Sequence, residues 1–252
     1  MKISIITATY NSSQYLLDNI RSVANQTYKN VEHIIVDNMS TDDTIQILND
    51  FNFDKNNIIY EKDTGIYQAL NKGIKKSSGE IIGILNSDDL FENNRILEII
   101  AENFLVDSID AVYGNLKYVN KKNNKIIRDW KSNIFNRSDL RYGWMPPHPS
   151  IFIKRKIIYP NNMYNEKFKI SADYELILRI FSKKDFNAKF INNYFVRMRI
   201  GGKSNNSLQN IFLKIYEDYL SLNTLNINPL RKSLCLVLKN LSKLKQFTFI
   251  HS

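Results

Sequence analysis

Four runs of β-branched and apolar residues alternate with helical segments over the first ninety positions, and this alternation limits the fold more than any other feature. Lys2–Thr9 (KISIITAT), Val31–Val36, Ile58–Glu61 and Ile81–Leu85 read as strands. Between them lie segments of helical periodicity. One starts after Ser12 or Ser13, either of which can cap it, and runs to about Asn25, with Tyr15, Leu16, Ile20 and Val23 on one face. The others cover Thr44–Asn49, behind the polar turn Asn38–Asp43, and Ile66–Lys75, between Asp63-Thr-Gly65 and Ser77-Ser-Gly79. Strand and helix in strict alternation predict an α/β fold with a parallel sheet and right-handed crossovers.

The fourth strand carries the sharpest change in chemistry. Ile81-Ile-Gly-Ile-Leu85 is apolar, as in a strand buried on both faces, and Asn86-Ser-Asp-Asp89 follows at once. Ligands of open α/β sheets bind just outside the carboxyl ends of the strands. Acids stand at three such ends: Asp37, Asp63, and Asp88 with Asp89. Adjacent carboxylates raise each other's pKa unless a cation neutralises them. A hard divalent cation bridging a phosphorylated ligand meets that need. The alternative is an N-cap, with Asp88 or Asp89 starting a helix through Leu97. Neither Gly-x-Gly-x-x-Gly after the first strand nor Gly-Lys-Ser/Thr occurs, which argues against a dinucleotide dehydrogenase and a P-loop NTPase.

The second half changes character. Ala111–Val119 and Ile126–Trp130 read as a hairpin about Lys121–Lys125, which implies a mixed or antiparallel edge. Tyr142–Pro149 holds three prolines in its last four positions and must be a stiff aromatic loop. Ser150–Lys154 and Asn193–Arg199 are strand-like, and Tyr174–Phe181 is helical with Asp173 at its start. Gly201-Gly-Lys-Ser204 is a flexible loop of a size to meet phosphate. Arg199 and Lys203 beside it are candidates to hold a diphosphate.

From Leu208 the pattern is helical. Ile211–Leu222 is amphipathic, and after Pro229 the leucines 230, 234, 238 and 241 recur at helical spacing among Arg231, Lys232, Lys239, Lys243 and Lys245. Such a helix suits either a membrane surface or a core-packed helix with a solvated lysine face. The formal charge of +10, from 35 Lys+Arg against 25 Asp+Glu, favours phosphate-bearing ligands, nucleic acid or an anionic membrane. The single cysteine, Cys235, excludes an internal disulfide, fits a reducing compartment and reads as a packing residue. No apolar run is long enough for a transmembrane helix, and the start of the chain reads directly into a strand without a signal peptide. A cytoplasmic enzyme, peripheral at the inner membrane face, is the expectation.

Four blocks together resemble family 2 glycosyltransferases with the GT-A fold. They are Ser4-Ile-Ile-Thr-Ala-Thr-Tyr-Asn11, Ile35–Thr44, Glu61–Gly73 and Leu85-Asn-Ser-Asp-Asp89. Pro147-His-Pro-Ser-Ile-Phe152 and Ser171-Ala-Asp-Tyr-Glu-Leu176 are similar to the members that build bacterial polysaccharide and lipopolysaccharide. The resemblance covers about residues 2–200. It implies a Rossmann-like, mostly parallel sheet flanked by helices, with a mixed second half. The expected division is a catalytic domain over 1–205, with a nucleotide-binding half (1–110) and an acceptor half (111–205), and a basic helical appendage over 206–252.

The resemblance also implies roles. Thr9 and Asn11 match the loop around the nucleotide, Asp37 the acid that meets the nucleoside, and Asp63 the acid that contacts the base. Asn86-Ser87-Asp88 occupies the place of the Asp-x-Asp metal motif. Asn at its first position leaves Asp88 as the main ligand for Mn²⁺ or Mg²⁺, with Asp89 in reserve. Asp173 matches the general base of inverting members. His148 and Trp144 fall on the acceptor side, although His148 can equally be a turn residue among prolines. The donor is expected to be a nucleoside diphosphate sugar, UDP favoured, and the acceptor a glycan or lipid-linked glycan. A nucleotidyltransferase would carry a glycine-rich basic loop where Tyr10-Asn-Ser-Ser13 stands. A nucleic-acid-binding module would line basic and aromatic residues along one surface. Acids gathered at strand ends speak against nucleic acid.

Overall fold

The computed structural model describes residues 1–121, 123, 125–200, 208–244 and 246. Its first half follows the alternation: β1 (Ile3–Thr9), α1 (Ser13–Ala24), β2 (Val31–Asp37), α2 (Thr44–Asp50), β3 (Ile58–Tyr60), α3 (Ile66–Lys76) and β4 (Ile81–Ile84). These four strands are parallel, with β1 between β2 and β4. The second half supplies β5 (Leu90–Phe91), α4 (Ile96–Asn103), β6 (Ala111–Val119), β7 (Ile126–Trp130), β8 (Ile151–Lys154), α5 (Arg155–Ile158), α6 (Ala172–Phe181), β9 (Ala188–Arg199), α7 (Leu208–Ser221) and α8 (Pro229–Leu244). The sheet order is β3-β2-β1-β4-β8-β6-β9-β5, with β7 on the free length of β6. The mixed edge arises because β8 runs antiparallel to both β4 and β6, whereas β9 is parallel to β6.

Successive side chains of a strand alternate between faces, and the core divides accordingly. Ile6, Ile34 and Val36 join α3 and α6 in one cluster, whereas Ile3, Ile5 and Phe152 join α4 in another. Helix α3 lies close on the sheet at Gly73, where a Cβ would come within 2.3 Å of Ile6. Leu222 and Cys235 are buried in the same cluster as Tyr174 and Leu178, so α7 and α8 pack on α6. Cys235 is a free, buried packing residue, as its leucine-rich surroundings imply.

Two expectations are corrected. Asp88 and Asp89 do not start a helix through Leu97: Leu90 and Phe91 pair with Arg197 and Val196 of β9, and α4 begins only at Ile96. The strand wins because Phe91 enters the second core cluster. In α8 three of the four leucines of the row face outward and Leu238 is half-buried. Leu230, Leu234 and Leu241 are 81%, 52% and 51% exposed, while Cys235 and Lys239 face inward. The helix is oriented by the Lys239–Asp218 ion pair, 2.9 Å long, which a count of leucines cannot anticipate.

A buried histidine under the parallel strands gives the fold an acid limit. The Thr7 hydroxyl donates to the Leu85 carbonyl (2.7 Å), so His33 Nε2–H donates to Thr7 (2.9 Å). Burial lowers the His33 pKa to about 3. Unfolded histidine titrates near 6.5, so the unfolded chain binds the proton first and stability is lost as pH falls from about 6.5 toward 3. Glu32 has the same sign at lower pH. Burial alone would raise it, but Lys2, Ser4 and Ser78 bring it from 4.5 to about 2. The His33 contribution amounts to about 2 kcal/mol between pH 7.5 and 5. His33→Gln keeps a donor toward Thr7 and should remove most of that loss, measured by urea unfolding at the two pH values. An unchanged difference would assign the acid sensitivity to other groups.

Candidate active site

The carboxyl ends of β1, β2 and β4 and the turn before α3 bring the acids of the first half together. Asp37 is fully buried and accepts from the Thr9 hydroxyl (2.7 Å), the Ser40 amide (2.7 Å) and the Ser40 hydroxyl (2.6 Å). Ser40 Oγ in turn accepts from the Asn11 amide (2.9 Å), and Asn11 Oδ1 takes the Thr41 amide (2.9 Å). Asn11 has φ +49°, a left-handed conformation that Asn tolerates. Thr9, Asn11 and Asp37 thus form one network, in which Asp37 shapes the loop from inside.

Asp63 differs. One oxygen accepts from the Gly65 amide (3.1 Å), while Oδ2 is buried with no hydrogen-bond partner. Its backbone amide is fixed by Asn38 Oδ1 at 2.8 Å. Burial raises its pKa, against the Gly65 amide and Lys72, with Asp37 and Glu61 adding to the rise. A buried acceptor without a donor costs about 1–3 kcal/mol, which a ligand N–H can recover.

At the end of β4 the four polar residues separate into two roles. Asp89 is fully buried: Oδ1 accepts from the Arg199 amide (3.1 Å) and Oδ2 from Asn86 Nδ2 (2.8 Å). Burial, and then the neighbouring charge of Asp88, push its pKa well up. With both oxygens engaged inside the protein, Asp89 ties β9 to this turn and is not placed as a reserve metal ligand. Asp88 keeps 28% of its side-chain surface and faces Lys121 Nζ at 3.2 Å. Ser87 Oγ meets Ser12 Oγ at 3.0 Å, so the Ser12 hydroxyl links two loops and does not cap α1.

Arg199 belongs to this corner. Its Nη2 donates to Asp18 Oδ2 (2.6 Å), its Nη1 lies 3.4 Å from the Asp88 carbonyl oxygen, and the guanidinium covers Tyr15 at 4.7 Å. Lys121 Nζ approaches the same ring at 5.1 Å. Two cations therefore flank Tyr15 beside Asp88. Lys203 lies outside the described residues.

Across the sheet, Asp173 occupies the first turn of α6, with Ser171 at the N-cap position. Its Oδ2 is 3.1 Å from His148 Nδ1. Asp173 and His148 stand at a small, mostly apolar cavity lined also by Ile84 of β4 and by Tyr164. Burial lowers the His148 pKa; Asp173 opposes this, and Lys214 and Lys239 add to it. A neutral His148 can donate Nδ1–H to the carboxylate and fix its orientation. Tyr118 of β6 links the halves: burial raises its pKa against Arg128, and the charges of Asp89 and Asp173 both add to the rise. Trp144 sits in an aromatic cluster with Tyr113, Phe135 and Phe181, its Nε1 donating to Asn133 Oδ1 at 2.5 Å.

Sequence reasoning missed Asn19, Tyr15, Asp18 and Lys121. Asn19 had a visible signal, a polar residue on the apolar face of α1. It is fully buried and donates to the carbonyls of Asn86 (2.8 Å) and Asp89 (2.9 Å). Lys121 read as a turn lysine; only the fold carries it to Asp88.

Among the described residues no cluster of three or more His, Cys, Asp or Glu could cage a metal by itself. Asp88, 28% exposed at the end of β4, offers a partly open carboxylate. That donor set fits an ion that completes its shell with substrate phosphate, the usual habit of Mg²⁺.

Residues 4–171 match the sequence model of the family described as Glycosyl transferase family 2. Chondroitin synthase of Escherichia coli is 27% identical over 98% of this chain and 36% of its own length. A PGL/p-HBAD biosynthesis glycosyltransferase of Mycobacterium tuberculosis is 29% identical over 84% of this chain and 82% of its own. An uncharacterised glycosyltransferase of Rickettsia conorii is 28% identical over 71% of this chain. The chain spans about a third of the E. coli and R. conorii relatives, 36% and 31% of their lengths. Among solved structures, S. aureus TarS 1-349 in complex with UDP-GlcNAc superposes with a TM-score of 0.69 at 19% identity, covering 95% of this chain and 72% of that one. The mannosyltransferase PcManGT from Pyrobaculum calidifontis, in complex with GDP-Man and Mn²⁺, gives 0.65 at 14% identity, covering 95% and 69%. The strand-end acids, the Asp88 turn and the sheet order thus meet a family model that spans most of the chain: this protein belongs to glycosyl transferase family 2.

Proposed function

We propose that this chain is the catalytic unit of an inverting glycosyltransferase. It takes a sugar from a nucleoside diphosphate, with a divalent metal at Asp88, and passes it to a hydroxyl of a glycan or lipid-linked acceptor in surface glycan synthesis. The observation that carries the reading is the pairing of Asp173 with His148 beside Ile84, two residues before the Asn86–Asp89 turn. Asp173 takes the proton of the acceptor hydroxyl as that oxygen attacks the anomeric carbon from the face opposite the diphosphate. The bond from carbon to diphosphate oxygen breaks, and the negative charge grows on the leaving group. Lys121, half-buried beside Asp88, meets that charge, a form of stabilisation that often dominates catalysis, and Arg199, buried and held by Asp18, adds its field from behind. When bound, the metal supplies Lewis-acid neutralisation of the diphosphate. The open oxygen of Asp63 suits a base with a ring N–H, as in uracil or guanine. TarS with UDP-GlcNAc and PcManGT with GDP-Man support those two series.

A thermal-shift panel of UDP, GDP, CDP and ADP, each with and without Mn²⁺, tests the donor. Metal-dependent stabilisation by UDP, or by GDP in its place, is expected, and stabilisation by ADP alone would sink the Asp63 assignment.

The acceptor reading is joined to the outward row of α8. No helix of the described residues is long and apolar enough to cross a membrane. Leu230, Leu234, Val237 and Leu241 are nevertheless exposed, as are Phe212 and Tyr216 of α7, with Arg231 beside the row. An anionic bilayer surface would cover such a face. Lys245 lies outside the described residues. Co-sedimentation with vesicles containing phosphatidylglycerol is expected, weakened severalfold in the Leu234→Glu, Val237→Glu double variant. Equal recovery with and without vesicles would remove the membrane from the proposal.

A further inference from the structure

Helix α7 meets α6 at its catalytic end. The turn that delivers the chain into α6 presents three successive backbone amides, Lys169, Ile170 and Ser171, and one side chain receives all three. Glu217 Oε1 accepts from Lys169 (2.8 Å), and Oε2 accepts from Ile170 (2.9 Å) and Ser171 (2.8 Å). Glu217 is 4% exposed, so a buried carboxylate is satisfied by the N-cap amide of α6 and the two loop amides before it. Charge-assisted bonds of this kind are roughly twice as strong as neutral ones. Asp173 follows Ser171 by two residues.

The next residues of both C-terminal helices close on the same place. Asp218 holds Lys214 (3.1 Å) and Lys239 of α8 (2.9 Å). Lys239 Nζ lies 3.1 Å from the centre of the Tyr174 ring, next in sequence to Asp173. On its other side α8 touches the loop that leads to His148. Gly143 has φ +81°, and a Cβ there would come within 2.6 Å of the Cys235 carbonyl and 2.7 Å of Lys239 Cβ. The two residues of the pair thus arrive on separate segments, and α7 with α8 contacts both.

We infer that Glu217 is a positioning residue: by gathering the three amides before α6 it sets Asp173 against His148, and α7 is in that sense part of the active site. The inference deepens the proposed reaction and rests on it for the role of Asp173. It has a readout that needs neither donor nor acceptor. In wild type, ¹⁵N spectra should show His148 protonated at Nδ1, toward Asp173, and His33 at Nε2, toward Thr7. Glu217→Ala should take His148 out of its Nδ1–H form while leaving His33 unchanged. Where the alanine variant also loses the His33 signal, Glu217→Gln serves: it keeps one acceptor oxygen and should give an intermediate His148 pattern. In turnover with a nucleotide sugar of the base selected by the panel, Glu217→Ala should lower kcat by about 10–100-fold, since a misplacement of about 1 Å can cost 10²-fold. The donor KM should stay within about twofold, because binding equal in ground and transition states is untouched. A folded variant whose His148 keeps its Nδ1 proton overturns the inference. If Asp173→Asn keeps full turnover while Glu217→Ala still releases His148, the positioning stands and the assignment of Asp173 as base falls.

Discussion

Asp173→Asn is expected to lower kcat by roughly 10²–10⁴-fold, the range for loss of a general base, with donor KM and nucleotide-induced thermal shift unchanged. Asparagine has nearly the same shape and can still meet His148 Nδ1, but its amide cannot take a proton from an attacking hydroxyl. The two assays separate chemistry from binding because the nucleotide side of the site is built from β1 to β4, whereas Asp173 arrives on α6. A kcat reduced less than about threefold would be too small for a base and would leave Asp173 an acceptor contact. His148→Gln is a milder change at the same place: it removes the ring that faces Asp173 without removing the base, so its loss should be smaller than that of Asp173→Asn.

The second large effect concerns the metal. A nucleotide at a hundred times its Kd adds about 2.7 kcal/mol of apparent stability. In Asp88→Ala the part of that gain that depends on Mn²⁺ should vanish, since Asp89 has both oxygens engaged inside the protein and Asp18 is paired with Arg199. Asp89→Ala should behave in the opposite way. It loses stability before any nucleotide is added, because it strips acceptors from the Arg199 amide and Asn86. A typical intramolecular hydrogen bond contributes about 0.5–1.5 kcal/mol, and a buried donor left without its acceptor costs about 1–3 kcal/mol. Unfolding of the two variants with and without Mn²⁺-nucleotide distinguishes the adjacent aspartates by role. If Asp88→Ala retains the metal-dependent gain, the ion is held elsewhere and Lys121 is the partner that matters for Asp88. Lys121 at 3.2 Å is the cation that an entering metal would have to replace.

The order of strands and helices through β4 was legible in the sequence because it rests on local periodicity. A β-branched run needs no distant partner to prefer extended backbone, and an apolar stripe at helical spacing asks only for some surface to cover. The gathering of the strand-end acids was legible for a related reason: in a parallel sheet all carboxyl ends face one edge, so Asp37, Asp63 and Asp88 could be put together before any contact was known. Asp173 at a helix start followed from the same kind of pattern. The division of labour between Asp88 and Asp89 was not local. It depends on β9, more than a hundred residues away, offering the Arg199 amide to one of them. The same holds for Asn19 under the Asp88–Asp89 turn, Lys121 opposite Asp88 and Glu217 beneath Asp173.

Helix α8 shows the limit most plainly. Its sequence contains two competing faces, a row of leucines and a row through Cys235 and Lys239. Leucine burial is non-directional, whereas a buried Lys239 needs the Asp218 carboxylate within ion-pair reach, so the ion pair and the close approach at Gly143 select the rotation. What the sequence by itself determined was the order of elements through β4 and the edge at which the strand-end acids gather. Which side chain of each pair turns inward, which carboxylate stays open, and which distant helix braces the turn before Asp173 were decided by tertiary contacts, because those choices are differences between nearly equivalent local alternatives.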